Sequence, residues 1–206
     1  MRRHLRRASR LVLLVALATA TAATYVVQPG DTLTAIARQH RTTVAALAGA
    51  NDLPDPDHIR VGQQLQVPSG AAVANDRAAV GELIGQVARE RGWSPAFVKA
   101  LAWQESGWNQ RARSSAGAVG IMQVMPDTGR FVSQHLVGRD LDLEDPRDNV
   151  VAGIAFLQHL WELTDGDVEL TLAGYYQGLR SVGDHGMYDD TERYIANVLA
   201  LRDRFR

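Results

Sequence analysis

Helical periodicity dominates the larger, C-terminal part of this 206-residue chain, with a polar, Gly-rich loop at Arg111–Gly120. From Asp76 onward, apolar residues recur at three- and four-residue steps, as in Val150, Ile154 and Leu157, which is the spacing of one helix face. No run in this part alternates polar and apolar residues as a half-buried strand does. The pattern predicts an all-α domain over residues 76–206, roughly 130 residues long and within the usual size of a domain.

Residues 24–68 show a different pattern. Tyr25–Val27 favours a short strand, a Pro-Gly turn follows it, and two short apolar periods, each opened by Asp or Thr, predict two helices. Gln64–Val67 alternates polar and apolar residues, which is typical of a half-buried strand. We therefore predict a second, small domain of strand-helix-helix-strand (βααβ) order, joined to the helical domain by a linker of small residues at 69–75.

The N-terminus has the composition of a secretory signal. Met1–Arg10 is basic, Leu11–Ala18 is apolar, and small residues continue to Ala23. The apolar run is shorter than the about 20 residues that a membrane-spanning helix needs. We expect residues 1–23 to be a signal peptide and the mature protein to be secreted to the cell envelope without stable membrane insertion. An uncleaved membrane anchor is the alternative.

Charge and composition exclude several classes of protein. Five of the 22 Lys and Arg residues lie in the first ten positions, which leaves 17 basic against 23 acidic residues in the rest of the chain. A nucleic-acid partner is not expected, because such proteins carry a basic surface. The absence of Cys excludes thiol catalysis and Cys-based zinc sites. The six His residues are scattered rather than set at metal-ligand spacing, so a metal-dependent peptidase is not expected.

Glu105 is a candidate general acid. Ser94 and Pro95 open a helix, in which Val98 and Leu101 share a face with Glu105. The carboxyl group thus lies on the apolar side of the last turn, where burial and the negative end of the helix dipole both raise its pKa. A Glu that stays partly protonated near neutral pH is suited to proton donation. The alternative is an ordinary amphipathic helix that ends in an exposed Glu.

The small N-terminal domain resembles a LysM module. The resemblance is carried by Tyr25–Ala37 (YVVQPGDTLTAIA), Asn51–Leu53 and Ile59–Pro68 (IRVGQQLQVP). It implies binding to chains of N-acetylglucosamine, as in peptidoglycan, through a shallow groove. The groove residues implied by position are Gly30, Asp31, Thr32, Asn51, Leu53 and Ile59. The alternative role of Asp31 and Thr32 is helix capping, which is compatible with glycan binding.

Four clusters in the helical domain, in this order, resemble the soluble lytic transglycosylase family. They are Glu105–Asn109 (ESGWN), Gly117–Pro126 (GAVGIMQVMP), Gly174–Gly178 (GYYQG) and Thr191–Val198 (TERYIANV). The resemblance implies the fold of goose-type lysozyme and cleavage of the bond between N-acetylmuramic acid and N-acetylglucosamine. It also implies that peptidoglycan strands are the partner of both domains.

The resemblance implies a mechanism with Glu105 as the single catalytic residue. Glu105 protonates the glycosidic oxygen and then acts as base on the muramic C6 hydroxyl, which closes to a 1,6-anhydro ring without a metal or cofactor. Tyr176 and Gln177 depart from the common Ala-Tyr-Asn-Ala-Gly motif, which puts the substrate contact of that Asn in doubt. The substrate-binding residues implied by position are Ser106, Met122, Gln123, Tyr175, Tyr176 and Tyr194.

Two other functions stay open. A muramidase would hydrolyse the same bond, and ordinary glycoside hydrolases use two carboxylates, roughly 5–5.5 Å or 6.5–9.5 Å apart. No second acid has a motif of its own, although Asp184, expected in a loop, is a candidate. A non-catalytic peptidoglycan-binding scaffold is the other alternative, and it would not need Glu105.

Overall fold

The computed structural model describes residues 23–53, 55, 58–68 and 77–206. The predicted signal peptide, apart from Ala23, and the predicted linker lie outside these residues. The protein consists of a small N-terminal unit with a two-stranded sheet and a mostly helical domain. Among the described residues, no helix combines the length and the apolar character that crossing a membrane requires.

The N-terminal unit begins with strand β1 (Ala23–Val26) and ends with strand β2 (Gln64–Val67), which pair antiparallel with Ala23 opposite Val67. Helices α1 (Leu33–Gln39) and α2 (Val44–Ala50) lie between them in the chain. Each helix is capped as the sequence predicts, because the hydroxyls of Thr32 and Thr43 accept the N–H groups of Ala35 and Ala46. The core of the unit is formed by Val27, Leu33, Ile36, Ala37, Leu47, Leu65 and Val67.

The helical domain contains seven described α-helices and one π-helical segment. The segment is Val132–Val137, and the helices are α3 (Arg77–Glu90), α4 (Pro95–Ser106), α5 (Pro126–Phe131), α6 (Pro146–Leu163), α7 (Val168–Tyr176), α8 (Leu179–His185) and α9 (Asp189–Arg204). Helix α4 is central, since it packs against both α3 and α9, while α6 packs against α3 and α7. This arrangement brings the last turn of α4 next to α7 and α9.

One local prediction about the helical domain was wrong, because Asp184 lies in helix α8 and not in a loop. Helix α9 begins at Asp189 with Tyr188 as its N-cap. Val132 begins a π-helical segment directly after α5. Helix α8 buries none of its residues fully, so it lacks the apolar periodicity by which a helix is recognised in a sequence.

Candidate active site

Glu105 lies in the last turn of α4, on the side that faces the core. Val98, Leu101 and Ala102, which share its helix face, are fully buried. The helix ends directly after it, because Gly107 adopts a left-handed conformation (φ 61°) and donates its N–H to the Trp103 carbonyl at 2.8 Å. Burial raises the pKa of Glu105 from its usual 4.5 to about 7. The carboxyl group is therefore divided between its protonated and ionised forms near neutral pH.

Tyr194, on α9, is the hydrogen-bond partner of this carboxyl group. Its phenol donates to Glu105 Oε1, and its side chain is almost completely buried. The hydrogen bond lowers the pKa of Glu105, but less than burial raises it. Burial, together with the nearby charge of Glu105, raises the pKa of Tyr194 well above 10. Tyr194 consequently stays a neutral donor at any pH at which Glu105 titrates.

Tyr175, at the end of α7, approaches Glu105 from another side. Its phenol donates to the Met122 carbonyl at 2.9 Å. Burial and the charge of Glu105 raise the pKa of Tyr175 well above 10. Two neutral phenols therefore lie near the carboxyl group, one hydrogen-bonded to it and one close enough to respond to its charge.

Tyr176 covers Tyr194 on the solvent side. The two rings stack with centroids 4.5 Å apart and an interplanar angle of 21°, and Tyr176 is 47% exposed. Its phenol donates to Asp190 Oδ2 at 3.3 Å. An exposed aromatic face beside an acid is a suitable platform for a sugar ring. Tyr176 is therefore the predicted substrate-binding residue with the largest accessible ring at this site.

Gln177 holds the segment that leads into α9, a role that sequence reasoning missed. Its amide donates to Ser181 Oγ and the Gly186 carbonyl, and its oxygen accepts from Tyr188 N–H and the Thr191 hydroxyl. All hydrogen-bonding positions of the side chain are used. Gln177 thereby fixes the start of the helix that carries Tyr194. The departure of Gln177 from the usual motif singled out this position in the sequence. The sequence did not identify its four hydrogen-bond partners.

The loop between α4 and α5 is tied to the end of α4 and to α6. Ser106 donates to the Ile121 carbonyl at 2.7 Å and accepts the Asn109 N–H at 3.0 Å. Asn149, buried at the start of α6, donates to the Val119 carbonyl at 2.8 Å and accepts the Met122 N–H at 2.9 Å. These bonds fix the Met122 carbonyl that Tyr175 contacts.

Met122 and Gln123, two of the predicted substrate-binding residues, make contacts within the protein. Met122 is fully buried and packs against Gly153, so its side chain does not line a groove. Gln123 donates its amide to the Gly120 carbonyl at 3.0 Å and has a left-handed backbone (φ 46°). The amide of Gln123 is thus engaged within its own loop. Ser106 likewise uses its hydroxyl to hold this loop.

Replacing Gly120 by Ala should destabilise the protein by at least about 2 kcal/mol. Gly120 has a φ of 77°, and an added Cβ would lie 2.4 Å from Asn149 Nδ2 and 2.8 Å from Gln110 Nε2. Gly117→Ala is the matched control, because Gly117 lies in the same loop with a φ of 92° but has no atom within 4 Å of the added Cβ. Urea unfolding of both variants measures the difference, and equal losses of stability would contradict the predicted clash.

The groove residues predicted in the N-terminal unit differ in their contacts: some are hydrogen-bonded within the unit, one is exposed, and two pack on the core. Asp31 accepts from the Tyr25 phenol at 2.8 Å and the Gln28 N–H at 2.7 Å. Asn51 bonds both the N–H and the carbonyl of Gln66, so its side chain connects α2 to β2. Thr32 caps α1, Gly30 is exposed, and Leu53 and Ile59 pack on the core of the unit.

Replacing Tyr194 by Phe should raise the pKa of Glu105 by about one unit above its present value. The hydrogen bond to the phenol favours the ionised carboxylate, and its removal leaves the burial effect unopposed. NMR titration of the side-chain carboxyl groups measures the pKa directly. Tyr188→Phe is the control, since Tyr188 is 47% exposed and its ring lies beside His185 in a tilted arrangement instead. A pKa that stays unchanged in Tyr194→Phe would contradict this role of the phenol.

Asp184, the candidate second carboxylate, and Asp190, at the start of α9, occupy different surroundings. Asp184 is exposed on α8 and pairs with Arg180 at 3.7 Å within the same helix. Asp190 is bonded to Tyr176, whose pKa is raised by burial and by the charges of Asp190 and Glu105. Asp190 is therefore connected to the Glu105 site through Tyr176.

Family comparisons agree with both parts of the chain. The family model described as the transglycosylase SLT domain matches residues 82–197, more than half of the chain, and that of the LysM domain matches residues 25–68. A putative soluble lytic murein transglycosylase of Haemophilus influenzae is 36% identical over 93 residues, covering 44% of this chain and 16% of that protein. The soluble lytic murein transglycosylase of Salmonella typhimurium is 27% identical over 148 residues, covering 62% and 23%.

Among solved structures, the chain is similar to the lytic transglycosylase Slt of Pseudomonas aeruginosa, determined as an inactive glutamate-to-glutamine mutant. The TM-score is 0.54 at 27% identity, and the match covers 64% of this chain and 24% of that one. The chain thus spans less than a quarter of the length of these relatives.

Proposed function

Because the chain belongs to the transglycosylase SLT domain family and carries a LysM domain ahead of that domain, we propose that it is a peptidoglycan lytic transglycosylase that acts outside the cytoplasm. Its substrate is the β-1,4 bond between N-acetylmuramic acid and N-acetylglucosamine. The LysM domain holds the glycan strand, and the helical domain cleaves it. The relatives named as murein transglycosylases support the reaction class.

The observation that supports this proposal most directly is the raised pKa of the Glu105 carboxyl group and its hydrogen bond to Tyr194. Its pKa of about 7 leaves a proton available for donation, and the buried Tyr194 phenol fixes the orientation of its carboxyl group. A carboxyl group in this state is suited to both halves of a lyase reaction. The inactive glutamate-to-glutamine mutant of the Pseudomonas relative agrees with an essential Glu in this family.

In the first step Glu105 donates its proton to the glycosidic oxygen, and the bond from that oxygen to the muramic C1 breaks. The leaving sugar departs as an alcohol, and the Tyr194 hydrogen bond stabilises the carboxylate that forms. In the second step Glu105 removes the proton of the muramic C6 hydroxyl while that oxygen bonds to C1. The 1,6-anhydro ring is closed, and Glu105 is protonated again for the next cycle.

Hydrolysis of the same bond is the second candidate, and the position of Asp190 favours it. Asp190 is held through Tyr176 at the edge of the Glu105 site. A carboxylate in that position is able to activate a water in place of the C6 hydroxyl. In this case the products would carry reducing ends, and Asp190 would be essential as well as Glu105.

Mass spectrometry of the soluble products from purified sacculi distinguishes the two reactions. A lyase gives muropeptides that end in anhydro-muramic acid and are one water lighter than reducing ones. Reducing ends would replace the proposal by hydrolysis. Intact binding without any product would indicate a peptidoglycan-binding scaffold.

A further inference from the structure

A cavity of about 750 Å³ lies where the LysM domain meets the helical domain. The end of α1 lines one side with Arg38 and Arg41, and the end of α3 and the start of α6 line the other with Arg91 and Arg147. None of the described tyrosines around Glu105 lines this cavity. The cavity is therefore separate from the proposed cleavage site, and both domains contribute to it.

The cavity is strongly basic. Five arginines line it against two carboxylates, which leaves an excess of three positive charges, or two if Asp145, 4.0 Å from Arg41, is included. This excess occurs in a chain that has 17 basic and 23 acidic residues beyond its first ten positions. The local charge thus has the opposite sign to that of the chain as a whole. The five arginines are Arg38, Arg41, Arg91, Arg139 and Arg147.

The two carboxylates are already shared between arginines. Glu90 pairs with Arg147 and, at 3.4 Å, with Arg38. Asp148, whose side chain is 1% exposed, pairs bidentately with Arg139 and also with Arg41 of the LysM domain at 3.5 Å. Carboxylates that each serve two guanidinium groups do not neutralise the cavity.

Two of the guanidinium groups have unused capacity. Arg147 is 5% exposed, and its Nη1 has no hydrogen-bond partner among the described residues. Leaving a buried charged donor unpaired is unfavourable. Arg91 is exposed at the rim of the cavity, and partial burial and the charges of Arg139 and Arg147 lower its pKa while the charge of Glu90 raises it. The unpartnered Nη1 of Arg147 and the accessible guanidinium group of Arg91 are the groups that an anion in the cavity is able to contact.

The uncharged lining of the cavity limits the chemistry of that anion. Trp93, Val151 and Ile154 provide apolar surface, and Gln158 provides an amide that accepts the Trp93 indole N–H at 2.9 Å. The paired N–H groups of an arginine guanidinium match the planar geometry of a carboxylate. The cavity combines these guanidinium groups with apolar surface and an amide. This combination suits a short peptide with free carboxylates better than a phosphodiester polymer, which has little apolar surface.

We propose that this junction cavity binds the carboxylates of the acidic peptides attached to peptidoglycan glycan strands. The inference rests on the proposed function, since that substrate carries such peptides on its muramic acid units. A peptide bound here contacts both domains at once, so that the LysM domain and the helical domain engage one substrate molecule.

The test uses the full chain and the free dipeptide L-alanyl-D-glutamate, with the dipeptide diamide as the uncharged control. NMR titration follows the indole N–H signal of Trp93, assigned with Trp93→Phe. We expect saturable shifts with the dipeptide and none with the diamide. Arg91→Ala should weaken dipeptide binding about tenfold. Arg180→Ala, which removes the same charge from an exposed site on α8, should leave it unchanged.

Three results would overturn the inference. They are the absence of dipeptide binding, equal binding of the diamide, and binding that Arg91→Ala does not weaken. Binding of glycerol phosphate in place of the dipeptide would assign the cavity to a phosphate-bearing wall polymer instead. Because the titration uses a free peptide and no glycan, its outcome does not depend on whether the protein cleaves peptidoglycan.

Discussion

Glu105→Gln should lower the rate of glycan-strand cleavage by about 10²–10⁴-fold, which removes detectable activity in an ordinary assay. Gln has nearly the shape of the protonated Glu and is still able to accept the Tyr194 hydrogen bond, but it has no proton to donate to the glycosidic oxygen. The substitution therefore removes the chemistry while it preserves the packing at the end of α4. Anhydro-muropeptide release from purified sacculi, measured by mass spectrometry, gives the rate.

The control for this substitution is Glu192→Gln, the same change on the exposed side of α9. This variant should cleave at the rate of the unmodified protein. Glu105→Gln should also retain its binding to sacculi, because the LysM domain is unchanged. If Glu105→Gln kept more than a few per cent of the activity, the mechanism with a single general acid and base would have to be abandoned.

The sequence predicted the features that depend on local spacing. The helix around Glu105, its end within a turn of Glu105 and the threonine caps of α1 and α2 all follow from residues within a turn or two of each other. The burial of Glu105 also followed, because Val98 and Leu101 define the buried face of the same helix. Helix periodicity and capping are properties of short segments, so a sequence displays them directly.

The features that require the tertiary structure could not be predicted in detail. Tyr194 bonds Glu105 across 89 residues, and Asn149 bonds Met122 across 27. The sequence resemblance placed Met122 in the groove, whereas the packing against Gly153 places its side chain in the core. The basic cavity combines residues of α1, α3 and α6, and no short segment of the sequence contains that combination. Each of these features depends on which elements meet after folding.

Glu105→Gln should also change how the stability of the helical domain depends on pH. In the folded protein the pKa of Glu105 is about 7, compared with its usual 4.5. The folded state therefore binds the proton more tightly than the unfolded state does. The stability associated with this difference is fully present below pH 4.5 and is lost as the pH rises through 7. Gln is neutral throughout and avoids this loss.

At pH 8 Glu105→Gln should be more stable than the unmodified protein by up to about 3 kcal/mol, since one pKa unit corresponds to about 1.4 kcal/mol. This figure is an upper limit, because the carboxyl group keeps some contact with solvent. For a chain of this size the gain raises the melting temperature by about 5–10 °C. At pH 4 the two proteins should melt at nearly the same temperature, because Glu105 is then protonated in both the folded and the unfolded state.

Differential scanning calorimetry from pH 4 to pH 8 measures this effect, with Glu192→Gln as the control that should show no pH-dependent difference. A stability difference between Glu105→Gln and the unmodified protein that is constant over this range would mean that the pKa of Glu105 is not raised by folding. The expected divergence at high pH would instead show that ionisation of the buried Glu105 carboxyl group costs the folded protein stability. The same burial holds a proton on Glu105 near neutral pH, and in the proposed reaction that proton is the one donated to the glycosidic oxygen.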